Sequence, residues 1–137
     1  MITSKLLICA QGVIRNAEDN TISIFSIIES IQGAGFPLFM PKMDVLAFFE
    51  RSTGDPPQHE VLFRLSIGVT ELVATHVAID FQDKLLNRST LHIQGLAIPN
   101  PGTLKVETIL NGTTLGTYEV LIAEIAPKVE AHQDLPG

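Results

Sequence analysis

In Pro101-Gly102-Thr103-Leu104-Lys105-Val106-Glu107-Thr108-Ile109-Leu110-Asn111-Gly112, and on through Thr117-Tyr118-Glu119-Val120-Leu121-Ile122, two β-rich runs flank Asn-Gly. That dipeptide accepts the positive φ angles of a tight hairpin turn, and Pro-Gly launches the first run. The end of the chain therefore reads as a β-hairpin, Thr103 to Leu110 and Thr117 to Ile125. Working back from it, Ser89 to Ile98 is a strand returning from a turn at Asp83 to Arg88. Leu72 to Gln82 alternates, with Val73, Val77, Ile79 and Phe81 on one face and His76 and Asp80 on the other. Glu60 to Val69 does the same, with Val61, Phe63, Leu65, Ile67 and Val69 inward and Arg64 and Ser66 outward, the period-two signature of a half-exposed strand.

Ser52-Thr53-Gly54-Asp55-Pro56-Pro57 separates that strand from Met43 to Arg51. Gly33 to Pro41, with two glycines and two prolines, reads as a crossover loop. Thr21 to Ile31 reads as one strand whose apolar parity switches from Ile22 and Ile24 to Phe25, Ile27 and Ile31, as a bulge or bend would produce. Lys5 to Ile14 is apolar on both parities, which suits a strand covered on both faces. The pattern predicts an all-β fold, a two-sheet antiparallel β-sandwich of the immunoglobulin-like or C2-like kind with about eight strands. Residues 1–127 form its single domain and residues 128–137 a polar C-terminal tail.

The 137 residues are 45% hydrophobic and 18% charged, a composition that can build a packed core. A net charge of -6 repels phosphate backbones, and the absence of Trp, with Tyr118 the one tyrosine, leaves no stacking platform for single strands. Nucleic acid is accordingly not an expected partner. Leu6 to Ala10 is too short for the apolar segment of a secretory signal, and no uncharged apolar run reaches membrane-spanning length. One cysteine rules out an internal disulfide framework and suits a reducing cytoplasm.

Leu6-Leu7-Ile8-Cys9, a polar turn, Ile22-Ser23-Ile24-Phe25, then Phe36-Pro37, and finally Pro101-Gly102 with Leu110-Asn111-Gly112 follow one another in an order that resembles a family of small bacterial proteins known only as a domain of unknown function. The family pattern has an acidic residue after the first strand, where this chain has Ala10, Gln11 and Gly12. The resemblance implies a bacterial β-sandwich and transfers no functional residues.

Chemistry-bearing constellations are few. Cys9 sits mid-strand among Leu7, Ile8 and Ala10 and reads as a small apolar filler. His76 and Asp80 share a strand face, and His92 lies on the strand expected to pair with theirs, so the three are the candidate metal or acid–base set, subject to register. Gly33-Ala34-Gly35 lacks the Lys-Ser/Thr of a phosphate loop, and no hydrolase or zinc-protease motif occurs. No cofactor is expected. Phe36, Leu38, Phe39 and Met40, set between prolines, are the candidate partner-binding residues if their loop is exposed, and a plug for one end of the two layers if it is not. Thr103 to Leu110, with only Lys105 and Glu107 charged, is the candidate edge strand for sheet extension. The resulting expectation is a non-enzymatic, cytoplasmic module that binds a protein partner or a second copy of itself. Its alternatives are a metal- or small-ligand-binding domain built on His76, Asp80 and His92, and a C2-like module that enters a membrane surface through Phe36 to Met40.

Overall fold

The computed structural model describes residues 1–126. The polar tail expected at 128–137, with His132, lies outside the described residues. Nine strands follow one another without a helix among the described residues: β1 (Thr3–Arg15), β2 (Ile22–Ile27), β3 (Ser30–Gly33), β4 (Leu38–Glu50), β5 (Gln58–Ile67), β6 (Thr70–Asp80), β7 (Leu86–Ile98), β8 (Gly102–Leu110) and β9 (Thr113–Glu124). They form a four-stranded sheet, β2-β1-β4-β7, and a five-stranded sheet, β3-β9-β8-β5-β6.

The closing hairpin is as its sequence demands. Leu110 pairs with Thr113 across Asn111 (φ 50) and Gly112 (φ 81), the two positive angles of a turn whose twist matches the strands. Alternation in β5 is obeyed by Val61, Phe63, Leu65 and Ile67, all buried. Val69, expected inward, is fully exposed, because Gly68 and Val69 form the two-residue turn into β6 and leave the alternation. One core cluster joins the inner faces of both sheets. At its centre the rings of Phe49 on β4 and Phe63 on β5 meet edge to face, their centroids 6.4 Å apart.

Four expectations are corrected. The strands number nine, because the run Thr21 to Ile31 divides into β2 and β3, which belong to different sheets. The parity switch at Phe25 does mark a break, and Ser26 there takes a φ of 55. What the local pattern does not carry is the destination of the second piece. The Ile28 amide still donates to the Cys9 carbonyl in the first sheet (2.8 Å), whereas the next carbonyl, that of Glu29, accepts from the Leu121 amide in the second (3.1 Å). The pairing is not wholly antiparallel either, since β3 runs parallel to β9 from Ser30↔Leu121 to Gly33↔Glu124. The crossover loop shortens to residues 34–37, because Gly33 closes β3 and Leu38 to Met40 already pair with β7. Finally, β8 is an inner strand between β9 and β5, so Thr103 to Leu110 is no edge.

Candidate protein-binding edge

Among the described residues each sheet leaves two strands with an unpaired side: β2 and β7 in one, β3 and β6 in the other. The two-residue step Ile28–Glu29 keeps β2 and β3 together on one flank of the molecule, while β6 and β7 touch on the opposite flank. Their compositions differ in kind. β6 carries Glu71, His76 and Asp80, and β7 carries Arg88 and His92. β2 is Ile-Ser-Ile-Phe-Ser-Ile and β3 is Ser-Ile-Gln-Gly, with no charge and no proline in either. Charge on an edge strand is the usual guard against pairing with another chain, and this flank lacks it.

The same flank gathers exposed apolar side chains. On β2, Ile24 is 38% exposed, Phe25 50% and Ile27 55%, and Ile14 on the adjoining β1 is 56% exposed. Leu121, opposite Ser30, and Ile125, whose amide donates to the Gly33 carbonyl (3.0 Å), extend the patch along β3. Phe25 lies over Gly12, where any added Cβ would sit 3.7 Å from the ring. The crossover is fixed from beneath by Tyr118, whose hydroxyl donates to the Ile28 carbonyl (2.7 Å). Burial raises the pKa of that hydroxyl, and the negative charges of a Cys9 thiolate and of Glu29 act in the same direction.

The residues singled out from sequence are distributed otherwise. Phe36, Leu38 and Met40 are half-buried and pack against the main core, with Leu38 pressed onto Gly33. Phe39 alone projects, 62% exposed, its ring over Gly95. The plugging role thus takes three of the four side chains. His76 and Asp80 do share the outward face of β6, where His76 Nδ1 lies 3.5 Å from Glu60 and Asp80 accepts the Gln82 amide. His92 does not join them, because β7 pairs with β4 in the other sheet and not with β6. No group of three His, Cys, Asp or Glu among the described residues is placed to hold a metal ion. A cleft of about 670 Å³ on the second sheet near the β8–β9 turn is lined by His59, Glu60, Leu62, Arg64 and His76 among others. Two of these side chains have carboxylate neighbours: Glu60 beside His76, and Glu107, which pairs with Arg64 at 3.2 Å.

His92 instead belongs to a hydrogen-bonded pair that the sequence reading missed. Asp44, directly opposite it in register and completely buried, accepts from His92 Nδ1 through Oδ1 and from the Val13 amide through Oδ2, both at 2.8 Å. The ladder between β1 and β4 ends at Ala10↔Asp44, and beyond that point the carboxylate takes the Val13 amide in place of a backbone carbonyl. The available signal was a lone acid inside Met43-Asp44-Val45-Leu46-Ala47, a run apolar on both parities where a charge must find partners. A carboxylate that orients an imidazole is the supporting half of a general base. Through these two bonds Asp44 on β4 latches β1 at Val13 and β7 at His92. Cys9 is buried in the core, and burial pushes its thiol up to about 12, which removes it as a nucleophile at neutral pH.

No protein-family model matches the sequence, and no curated protein is significantly similar to it. Among solved structures the chain is similar to the Pseudomonas fluorescens alkylpurine DNA glycosylase AlkC bound to DNA containing an abasic site analog, at 14% identity and a TM-score of 0.46. The match covers 89% of this chain and spans 30% of that one.

Two outcomes follow from these contacts. Asp44→Ala, which orphans a buried amide and releases His92, should lower unfolding free energy in urea by about 2–4 kcal/mol; a loss under about 0.5 kcal/mol would show that the latch contributes little. Cys9 has a folded pKa near 12 against an ordinary 9.0, so the unfolded chain releases that proton first. Its stabilising effect is complete below pH 9 and falls as pH rises toward 12, and Tyr118 adds to the alkaline loss. Urea midpoints across that range should therefore fall less steeply for Cys9→Ala than for the wild type, and parallel curves would contradict the assignment.

Proposed function

We propose that this chain is a non-enzymatic, cytoplasmic β-sandwich module, immunoglobulin-like or C2-like in its layering, that works by binding protein along β2 and β3. One observation carries the reading: the β2 edge is uncharged and lined by Ile24, Phe25 and Ile27, whereas the β6 and β7 edges are charged. An extended segment added to β2 would satisfy its outward amides and carbonyls through main-chain hydrogen bonds, and the apolar side chains would set which segment fits. A net charge of -6 supports a protein partner over nucleic acid.

Site-directed photo-crosslinking tests the reading. Benzoylphenylalanine in place of Phe25 should give discrete protein adducts in a lysate of the source organism, and the same group in place of His76 on the opposite flank should give far fewer. Equal labelling from both positions, or labelling from position 76 alone, would contradict it.

A further inference from the structure

We infer that the occupant of this flank is an extended, apolar segment of another protein that carries Lys or Arg on both sides of the residues pairing with β3; the inference rests on the reading of β2 and β3 as the binding edge. β3 is the regular part of that edge, because β2 is interrupted by Ser26 at φ 55. The ladder with β9 shows which main-chain groups of β3 are free. The Glu29 carbonyl accepts from the Leu121 amide and the Gly33 carbonyl from the Ile125 amide, and successive residues of an extended strand turn to opposite sides. Glu29, Ile31 and Gly33 therefore face β9, and Ser30 and Gln32 turn their amides and carbonyls away from it. Both residues are exposed, and no turn or loop backbone among the described residues bonds to either. Their amides and carbonyls stand open to an added strand.

The surroundings of β3 are apolar along its length and acidic at its ends. Leu121 and Ile125 are exposed beside it. Glu29 precedes Ser30, and Glu124 stands opposite Gly33, so one carboxylate marks each end. Among the described residues neither forms an ion pair, and β2, β3 and β9 contain no Lys or Arg. Glu119, the other acid of β9, has Lys105 opposite it in register to offset its charge. Arg15, Arg88, Glu18 and Asp19 gather at the far end of the β1–β2 hairpin, where the opposite signs balance. The sequence beyond Ala126 contributes Lys128 against Glu130 and Asp134, so its composition adds no net positive charge. A segment laid along β3 thus meets uncharged main chain and then a carboxylate on either side. Cations flanking its pairing residues match those carboxylates whichever way the segment runs, and a net charge of -6 draws such a segment in from solution. A second copy paired through the same strand would set these acids against one another.

Selection of a random dodecapeptide library on the immobilised full chain, with the selected peptides then measured by fluorescence polarisation, tests the proposal. The binders should carry Lys or Arg on both sides of a run rich in Val, Ile and Thr. Glu29→Lys and Glu124→Lys should each weaken the best binder by about threefold or more, and the two together by about tenfold or more. Glu71→Lys on β6 makes the same change in net charge and should alter the affinity by less than about twofold at physiological salt. The same peptide with its cations replaced by Glu should bind the double variant better than the wild type, a gain that a misfolded variant could not give. Binders without cations, affinities that Glu29→Lys and Glu124→Lys leave unchanged, or a library that yields no binder would overturn the proposal. A wild-type dimer that the selected peptides dissociate would overturn it in favour of a second copy. In any of these events adducts from position 25 to a different protein leave the binding-edge reading standing, and an absence of adducts from that position removes both.

Discussion

The step from Ile28 to Glu29 is the constraint on which the rest of the molecule depends. Two adjacent residues serve two different sheets: one amide closes onto Cys9, the next carbonyl takes the Leu121 amide, and Tyr118 holds the carbonyl between them. Because the chain spends only two residues on this crossing, β2 and β3 cannot move inward in their sheets and must each remain an edge. Both lie on one flank, and both lack the charged side chains that guard the opposite flank. The topology thus creates an open pair of edges, and the composition leaves it open.

Most of the layering was legible in the sequence, because it follows from interactions between neighbours. Asn111-Gly112 has few alternatives to a tight hairpin turn, and the alternation of Val61, Phe63, Leu65 and Ile67 needs one buried face and nothing else. What was not legible is non-local. The parity switch around Phe25 gave the position of a break but not the parallel pairing of Ser30 to Gly33 with the last strand, some ninety residues away. The same limit led Thr103 to Leu110 to be read as an edge, since a strand's own residues do not say how many neighbours it has.

The candidate site shows a similar division. His92 was noticed for its chemistry and assigned to the wrong neighbours, because its strand was expected beside β6 and lies beside β4. Its actual partner, Asp44, is a carboxylate with no exposed surface, and its two hydrogen bonds meet needs left by the parting of β1 from β4. Phe36, Leu38 and Met40 close one end of the core and leave Phe39 outside. Asp44 and Cys9, both buried, serve the packing of the sheets, while the apolar side chains of Ile24, Phe25 and Ile27 on β2 stay exposed.

Amide hydrogen exchange across Ile22 to Ile27, compared with that of the inner strand β1, tests this account most directly. It predicts that the outward amides of β2 exchange rapidly while the amides of β1, paired on both sides, stay protected. Protection along all of β2 equal to that of β1 would contradict it.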